Sequence, residues 1–567
     1  MTNDGNPAVG RRSVSRRDVV GILVAAAVGI VALLYFYRGF IFSYPHRLQG
    51  DGGDGLLTLA LSRHWPLFNH PAVGWNQVGS FYPAPNTLGY SDTLLLNGIS
   101  EFPLKWLGLD WVLWFELVLI ATSAIGYAAS VAFLRLGPKA PWLITIPAAF
   151  VFVFSSGIYV SSTHPQLLTI QMLPVLALSL LVSFRAKSRW MCWVFAFVAG
   201  ALLGLILYSA YYIGWFTCVA LAIGTVIVVI LTLIQRRDAG TRALRSLLPL
   251  LRTGWVFLIG LGLSGVLLAY TYLPILESSG GRSPNAIAKS AIGPWSLFLI
   301  PGGGALWRTV FGLGLTLPPT GERSMTPTPV LLVCAFGLAI WALLRLRHLN
   351  EWERLGLASI VVGFVLWLAP VKLGTFVPWL DTYYQIPGGS GLRAITRIEL
   401  IAGCSMLFGV ALLLAMLWSN RQWREISRAP LAIVVTGALI LVVIEQLNTS
   451  NTQVVSVDYV RNLGALPTPP SECRSFVLLS AEADSDTGPD AGSEATYVAQ
   501  ATGLPTWNGY SGTIPTGWSL ANVKGMNYRN SVKSWGEQHN LLATGCGLDL
   551  RKKTWLNPQQ LAAYLSG

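Results

Sequence analysis

Two carboxylates stand three residues apart in a glycine-rich segment, Gly50-Asp51-Gly52-Gly53-Asp54-Gly55. Asp is costly beside a bilayer and glycine is a poor helix former, so helix packing does not favour this composition. A carboxylate at a membrane surface can act as the general base that removes a proton from an acceptor hydroxyl. The structural alternative is that both Asp residues cap or turn the entry into an interfacial helix over 56–65. Composition alone leaves the two interpretations open.

The next segment, 81–92, is rich in aromatic residues and turn formers. Sugar sites combine carboxylates and amides, which bind hydroxyls, with aromatic faces that stack on the ring. Candidate substrate contacts in this and two other polar segments are Tyr82, Asn86, Tyr90 and Asp92, then His164 and Gln166, then Trp507, Asn508 and Tyr510. For each of them the alternative is an ordinary interfacial polar group, or an aromatic residue that packs a tight turn.

Two arginines, Arg393 and Arg397, follow the glycine-rich stretch 387–391 and lie four residues apart. On a helix they would share one face, and arginine is well suited to bind phosphate. Arg282 is a further candidate for the same anion. The alternative is an ion pair with Glu399 or contact with lipid headgroups. Three more basic residues in this kind of loop are Lys289, Arg308 and Arg323.

A membrane domain has to position these side chains. Of the 567 residues, 53% are hydrophobic and 11% are charged, whereas a soluble domain has about 25% charged residues. The net charge is +13, but the basic residues recur in short clusters between apolar runs and not in one patch. That distribution is typical of cytoplasmic loops, so the sequence indicates a polytopic membrane protein and disfavours nucleic-acid binding.

Eleven apolar runs are long enough, or nearly so, to cross a bilayer. They lie near 19–37, 111–134, 142–160, 167–184, 191–209, 212–234, 255–276, 330–344, 357–370, 398–418 and 431–447. Every second connection is basic, which predicts a cytoplasmic N-terminus at 1–17 and a transmembrane domain at 18–447. The loops 41–108, 278–328 and 371–397 then lie outside the cytoplasm, together with the candidate residues.

The segment 448–567 changes to the composition of a soluble domain. An alternating strand over 475–479, an acidic loop over 484–494 and a terminal helix over 559–564 predict a small extracytoplasmic α/β domain. Cys473 and Cys546 are its two cysteines, and an oxidising compartment would let them form a disulfide. The alternative is two buried free thiols.

Five motifs in this order resemble a group of bacterial multi-spanning proteins related to GT-C glycosyltransferases. They are Gly50-Asp51-Gly52-Gly53-Asp54, the segment 81–92, Ser162-Thr163-His164-Pro165-Gln166, Gly391-Leu392-Arg393-Ala394-Ile395-Thr396-Arg397, and the segment 503–512 with Trp507-Asn508-Gly509-Tyr510. The resemblance implies a GT-C-like fold of about 11 transmembrane helices in the bacterial inner membrane. It also implies transfer of a hexosyl or pentosyl group from a polyprenyl-phosphate donor to an extracytoplasmic glycan, lipid or protein.

The same resemblance implies roles for individual residues. Asp54 or Asp51 would be the general base of an inverting transfer, and Arg393 or Arg397 would bind the donor phosphate, for which Arg282 is a further candidate by its residue type alone. No cofactor is certain. A divalent metal such as Mg or Mn stays open, because the Asp-x-x-Asp spacing departs from the Asp-x-Asp of metal-dependent members. A separate departure from the pattern of the group is that Ala394-Ile395-Thr396 replaces a more usual Val-Pro-Ala.

A function of another class remains: a transporter or flippase for a lipid-linked saccharide, or a non-catalytic scaffold. Transporters usually carry ionisable residues near the middle of the bilayer. The apolar runs here are nearly free of charge, which disfavours ion-coupled transport.

Overall fold

The computed structural model describes residues 15–44, 46–67, 74–235, 240–279, 281–294, 296, 306, 327–419, 428–448, 454–479, 491–523 and 527–566. Side chains are described in these ranges apart from those of 67, 240–252, 428–432, 434 and 454. Arg308, Arg323 and most of the predicted acidic loop over 484–494 lie outside the described residues.

The membrane domain is built from long apolar helices. In chain order its helices are α1 (Arg16–Phe36), α2 (Arg38–Ile41), α3 (Asp54–Leu67), α4 (Leu95–Trp106), α5 (Trp111–Leu136), α6 (Trp142–Phe154), α7 (Ser156–Ser161), α8 (Leu173–Arg185), α9 (Arg189–Ser209), α10 (Tyr211–Gln235), α11 (Gly240–Ser279), α12 (Pro284–Ala288), α13 (Pro329–Leu344), α14 (Glu351–Leu368), α15 (Pro378–Asp381), α16 (Ile398–Ser419) and α17 (Arg428–Glu445). The connections contain 3₁₀ turns, among them Thr87–Tyr90, Pro165–Met172, Gly389–Gly391 and Ile395–Arg397.

Each of the eleven predicted apolar runs coincides with one of these helices or with a consecutive pair of helical segments. Within the described part of the chain, eight helical segments are long and apolar enough to cross a membrane, and α13 and the end of α17 are shorter apolar helices. The remaining run is α14, which begins with charged residues. The expectation of a helical, multi-pass membrane protein is therefore confirmed.

Local sequence explains where several of these helices begin. Ser15 caps α1 by accepting from Asp18 N, and Asp110 caps α5 by accepting from Val112 N. Asn350 forms a capping box with Glu353 at the start of α14. Such caps satisfy amide groups that have no partner within the helix.

Small residues let the helices pack closely. A Cβ atom on Gly200 of α9 would lie 1.9 Å from the carbonyl oxygen of Phe257 in α11. Only glycine permits this backbone approach, as expected where helices associate within a membrane. The lipid-facing sides are recognisable by large exposed apolar side chains, such as Leu23 of α1, Val266 of α11 and Val333 of α13.

The prediction that the helix over 56–65 lies at the membrane interface is wrong. A helix does form there, but α3 is buried on nearly every face, including Leu56, Leu57 and Ala60. It packs against α4 and against a helix of the C-terminal domain. The apolar residues that favour an interfacial helix are equally compatible with a buried one, because periodicity does not reveal what covers a face.

The C-terminal residues form the expected mixed α/β domain. Its helices are α18 (Val457–Gly464), α19 (Ala491–Thr502), α20 (Tyr528–Gln538) and α21 (Pro558–Ser566). The five strands among the described residues are β1 (Arg47–Gln49), β2 (Val454–Ser456), β3 (Ser475–Leu478), β4 (Gly545–Asp549) and β5 (Thr554–Leu556). Strand β4 pairs parallel to β3 and antiparallel to β5. Cys473 and Cys546 form the predicted disulfide at this sheet.

Backbone pairing joins this domain to the first long loop. Strand β1 pairs antiparallel with β2, so the chain just before Gly50 is tied to the entry of the C-terminal domain. Further along, Phe81 N donates to Asn508 O, and Tyr82 N donates to Thr506 O. The loop and the C-terminal domain are therefore one packed unit above the helices.

Candidate active site

The centre of the site is a carboxylate–imidazole pair. Asp54 is the first residue of α3, and His164 directly precedes the 3₁₀ turn Pro165–Met172. His164 Nδ1 lies 2.6 Å from Asp54 Oδ2, and the two side chains are 13% and 22% exposed. Both side chains are thus mostly shielded from solvent, but a small part of each remains accessible.

The surroundings of Asp54 favour its ionised form. Burial raises the pKa of Asp54, but His164, the positive charge of Arg397 and a hydrogen bond from Tyr510 together lower it below its ordinary value. Asp54 is consequently a carboxylate at neutral pH, which is the state that a general base requires.

Asp51 has a different role. Its Oδ1 accepts hydrogen bonds from Gly53 N at 3.1 Å and from Gly55 N at 3.0 Å. These are the contacts of a turn that leads into α3. Gly50 has a φ of +115°, and a Cβ atom there would lie 2.8 Å from Gly55 Cα. The glycine-rich sequence therefore permits a tight loop that presents Asp54 to His164.

A buried polar bridge holds the segments that carry the pair. Glu116 of α5 accepts from the backbone N of Gln49, and Gln49 Nε2 donates to Ser162 Oγ at 2.6 Å. All three residues are fully or almost fully buried. Gln49 lies just before the glycine-rich loop and Ser162 lies two residues before His164, so this bridge fixes both segments relative to each other.

A second contact joins the same two segments nearer the site. Thr58 Oγ1 of α3 donates to Gln166 Oε1 at 3.0 Å. The sequence predicts Gln166 as a substrate contact. The structure places it beside the pair, two residues after His164.

The arginines do not share a helix face, which corrects that expectation. Arg397 ends the 3₁₀ turn Ile395–Arg397 and is buried, whereas Arg393 precedes the turn and is exposed. The residue before a 3₁₀ turn does not follow helical spacing, so a four-residue interval has no fixed direction here. No ion pair joins Glu399 to either arginine in the described part of the chain.

Tyr212 positions both arginines from the start of α10. The Arg397 guanidinium lies 4.9 Å from the centroid of the Tyr212 ring. The Tyr212 hydroxyl accepts from Arg393 N at 2.9 Å and from Ala394 N at 3.3 Å. One aromatic side chain therefore supports the guanidinium of Arg397 with its face and the backbone at Arg393 with its oxygen.

Arg282 belongs to the same group of cations. Its Nη2 donates to Thr513 Oγ1 at 3.3 Å. Burial lowers the pKa of Arg282; Tyr212 opposes this shift, and the charge of Arg393 adds to it. Two like charges close enough to repel each other create a local positive field, which attracts an anion.

Asp92 is a second acid near Arg397. Its Oδ1 accepts from Tyr211 N at 2.8 Å, so it caps the start of α10. Burial raises the pKa of Asp92 to about 6; the Tyr211 amide and Arg397 oppose the shift, and the charge of Asp54 adds to it. The charges of Asp54 and Asp92 thus interact with each other, and both acids interact with the positive charge of Arg397.

Several predicted sugar contacts are used for packing instead. Trp507 and Asn508 are fully buried. Trp507 Nε1 donates to Ser475 Oγ, and the Asn508 side chain bonds Leu478 N and Tyr528 Oη. We therefore leave both out of the proposed site.

The segment 81–92 shows the same use of polar and aromatic groups. Tyr90 is buried against Phe81. The Asn86 side chain accepts from Asn76 Nδ2, and Tyr82 O accepts from Trp535 Nε1. Tyr510 remains as the aromatic residue from the C-terminal motif that touches Asp54.

The described side chains bear on the question of a divalent metal. They contain no group of three or more His, Cys, Asp or Glu residues placed to hold an ion. Asp54 instead contacts His164 directly.

The supporting residues were harder to find from sequence than the pair itself. Glu116 is an acid inside an apolar run, which is itself a signal of function or of a buried polar network. Gln49, Thr58 and Ser162 give no such signal, because single polar residues near helix ends are common. Tyr212 is an aromatic at the start of a membrane helix, a position that usually indicates an interfacial anchor.

Comparison with known proteins gives structural neighbours only. No family model matches the sequence, and no curated protein matches it. An oligosaccharyltransferase of Archaeoglobus fulgidus, tethered to an acceptor peptide, is similar at 12% identity with a TM-score of 0.48, over 91% of this chain and 68% of that one. The same enzyme in complex with zinc and sulfate gives 12% identity and a TM-score of 0.42, over 85% and 62% of the two chains.

ArnT from Cupriavidus metallidurans, bound to undecaprenyl phosphate, is similar at 13% identity with a TM-score of 0.40, over 86% of this chain and 85% of that one. The neighbours are GT-C glycosyltransferases, the class that the sequence motifs resemble. At these identities and scores the likeness carries no argument about the chemistry of this chain, which depends on the site itself.

Proposed function

We propose that this protein is a GT-C-type membrane glycosyltransferase that moves a hexosyl or pentosyl group from a polyprenyl-phosphate donor to an extracytoplasmic acceptor. The observation that supports this proposal most directly is the ionised Asp54, paired with His164 at 2.6 Å, next to the buried cation Arg397. A base beside a fixed positive charge suits a reaction in which a hydroxyl loses a proton and a phosphate leaves.

Asp54, and not Asp51, is the proposed base. The acceptor hydroxyl oxygen attacks the anomeric carbon from the face opposite the phosphate, which inverts the configuration there. The hydroxyl proton passes to Asp54, and His164 holds that carboxylate in position. The bond between the anomeric carbon and the phosphate oxygen breaks, and the polyprenyl phosphate leaves with the electron pair.

Arg397, Arg393 and Arg282 are the proposed partners of the phosphate. Arg397 is oriented by Tyr212, and Arg393 is near enough to Arg282 for its positive charge to lower the pKa of Arg282. Such fixed cations stabilise the negative charge that grows on the leaving phosphate. Tyr510, Gln166 and Asp92 line the acceptor side of the same region in this proposal.

The proposed location is the bacterial inner membrane, with a cytoplasmic N-terminus. The alternation of basic and non-basic loops supports this orientation. It places Asp54, His164 and the C-terminal domain, bounded at 448–567, on the extracytoplasmic side, where lipid-linked sugar and a glycan, lipid or protein acceptor would meet.

Paired Asn variants test the base. Membranes with Asp54→Asn should lose at least about 100-fold in sugar transfer, because general-base catalysis contributes 10²–10⁴-fold. Asp51→Asn is the matched control: its amide oxygen still accepts from Gly53 N and Gly55 N, so transfer should stay near the wild-type rate. Wild-type transfer by Asp54→Asn protein would refute the assignment.

Reconstitution separates transfer from transport. In proteoliposomes a transferase leaves a new glycosidic product, detected by mass spectrometry, whereas a flippase moves unmodified lipid-linked saccharide across the bilayer. A scaffold does neither. Translocation without product would replace the proposal by the transporter alternative.

A further inference from the structure

Glu399, in the first turn of α16, is a buried acid that the proposed chemistry does not use. It is fully buried, and neither of its carboxylate oxygens has a hydrogen-bond partner among the described residues. The nearby Arg397 is stacked on Tyr212 and acts on Asp54, so its charge is directed to the active site. A buried carboxylate without a counter-charge is costly, so such a group either carries a proton or binds a cation.

A cavity lies against Glu399. Its volume is about 40 Å³, and a single water needs roughly 10–15 Å³ of such space. Ser155, Thr328 and Gln446 are the other residues with polar side chains around it, and mostly apolar residues form the rest. The space therefore suits one small polar guest with at most a few waters.

The helix on the other side of the cavity is broken. Helix α6 ends at Phe154, Ser155 is extended with φ −60° and ψ 155°, and α7 begins at Ser156. The break is held in place, because Ser156 N donates to Gln446 Oε1 at 3.1 Å and Asn448 Nδ2 donates to Ser156 Oγ at 2.9 Å. It is thus a fixed part of the fold.

A break of this kind leaves a helix C-terminus inside the bundle. The last carbonyl groups of a helix have no donor within it and carry partial negative charge. Val153 O takes a donor from Gln171 Nε2, and Val151 of the same turn lines the cavity. Residues at the broken end of α6 and Glu399 therefore line one small space.

We infer that this cavity is a binding site for one monovalent alkali cation, with Glu399 as its charged ligand and with oxygen atoms of Ser155, Thr328 and the broken end of α6 around it. Unwound carbonyls and half-helix C-termini coordinate such ions in membrane proteins. A single carboxylate matches a single positive charge, whereas divalent sites in proteins generally use more than one acid. The inference does not depend on the proposed glycosyl transfer.

Thermal unfolding of the purified full-length protein in detergent tests the site without any assay of sugar transfer. The protein is compared in sodium, potassium, lithium and choline chloride at one pH and one ionic strength. A ligand that binds the folded state raises the unfolding temperature in a saturable way. We expect at least one alkali cation to raise it by a few degrees over choline, and Glu399→Gln to abolish that difference.

Glu116→Gln is the matched control, since it also neutralises a fully buried acid in a neighbouring helix but leaves the cavity intact. It should retain the alkali-dependent rise. If Glu399→Gln protein cannot be purified, Glu399→Asp keeps the charge with a shorter reach and should need several-fold more cation for half the effect.

Three outcomes would overturn the inference: equal unfolding temperatures of the wild type in alkali and choline salts, an unchanged alkali effect in Glu399→Gln, or an unchanged half-saturating concentration in Glu399→Asp. Any of them would mean that Glu399 is not the charged ligand of an alkali cation. Binding of radioactive sodium to the wild type, with displacement by unlabelled sodium at about one site per chain, gives the direct measurement.

Discussion

Three aspartates of the two outer-loop motifs, Asp51, Asp54 and Asp92, have different properties because their partners differ. Asp54 faces His164, Arg397 and Tyr510, and its pKa is lowered. Asp92 is more deeply enclosed, and its pKa is raised to about 6. Asp51 is occupied by two backbone amides. The residue type and spacing identified the right loop, but only these contacts separate a reactive acid from a turn residue.

Removal of His164 should move the pH dependence of transfer. His164 lowers the pKa of Asp54, while burial raises it. In His164→Ala the raising effect of burial is opposed less, so the pH at which the base becomes ionised should increase. The acidic inflection of kcat/KM should therefore shift to higher pH, although the wild-type inflection belongs to the pair.

His46→Ala is the control for this experiment, because His46 is an exposed histidine beside another acid, Asp458. Its profile should match that of the wild type. An acidic inflection that does not move in His164→Ala would mean that Asp54 does not limit the reaction at low pH.

Asp92 should make the protein less stable as the pH rises. Its folded pKa of about 6 exceeds the ordinary value of about 3.9, so the folded state binds the proton more tightly than the unfolded state. This stabilisation is present at low pH and is lost as pH rises through the interval between the two values. The unfolding temperature of Asp92→Asn minus that of the wild type should therefore be more positive at pH 8 than at pH 5. A pH-independent difference would contradict the raised pKa.

At the scale of elements, the start of α10 organises the arginine loop. Tyr211 Oη donates to Gly388 O, Trp215 Nε1 donates to Pro387 O, and the Tyr212 hydroxyl accepts from Arg393 N. The loop is a series of short turns with no long helix of its own. Its shape is consequently set by neighbouring aromatic residues.

Tyr212→Phe isolates this positioning effect. The ring that supports Arg397 is kept, and the acceptor for Arg393 N and Ala394 N is lost. One net hydrogen bond is worth about 1 kcal/mol, so KM for the lipid-linked donor should rise about fivefold with little change in kcat. Tyr44→Phe, at an exposed tyrosine, should change neither constant. A fall in kcat at constant KM would contradict a role in holding the donor.

The sequence predicted the membrane helices well and the first long loop poorly, for one physical reason. An apolar run of sufficient length is a local property, so all eleven runs have helical counterparts. What covers α3, and what the backbone at Tyr82 bonds, depends on chain segments hundreds of residues away. No local pattern contains that information. Aromatic residues that the sequence predicts as sugar contacts are therefore found where the first long loop packs against the C-terminal domain.

At the scale of the whole molecule, the C-terminal domain completes the site. Tyr510 reaches Asp54 from the segment after Asn508, and Ser511 Oγ donates to Tyr90 O in the first loop. Arg282 bonds Thr513 in the same segment. The base, the cations and the domain are therefore mechanically linked, and loosening the domain should affect chemistry in the membrane domain.

The disulfide offers a way to loosen the domain from a distance. Cys473 and Cys546 are 73 residues apart in sequence, and a loop of that length corresponds to roughly 4 kcal/mol in the chain-entropy account. The double variant Cys473→Ala/Cys546→Ala should unfold at a lower temperature. At assay temperature it should also lose part of kcat for transfer, because Tyr510 no longer holds Asp54 as well.

Cys192→Ala/Cys218→Ala is the matched control, since it also removes two cysteines, which are free and lie in the membrane helices. It should keep the wild-type rate. If the Cys473→Ala/Cys546→Ala variant unfolds at a lower temperature but transfers sugar at the full rate, the contact of Tyr510 with Asp54 is not needed for transfer. In that case the contacts between the first long loop and the C-terminal domain would only stabilise the folded protein.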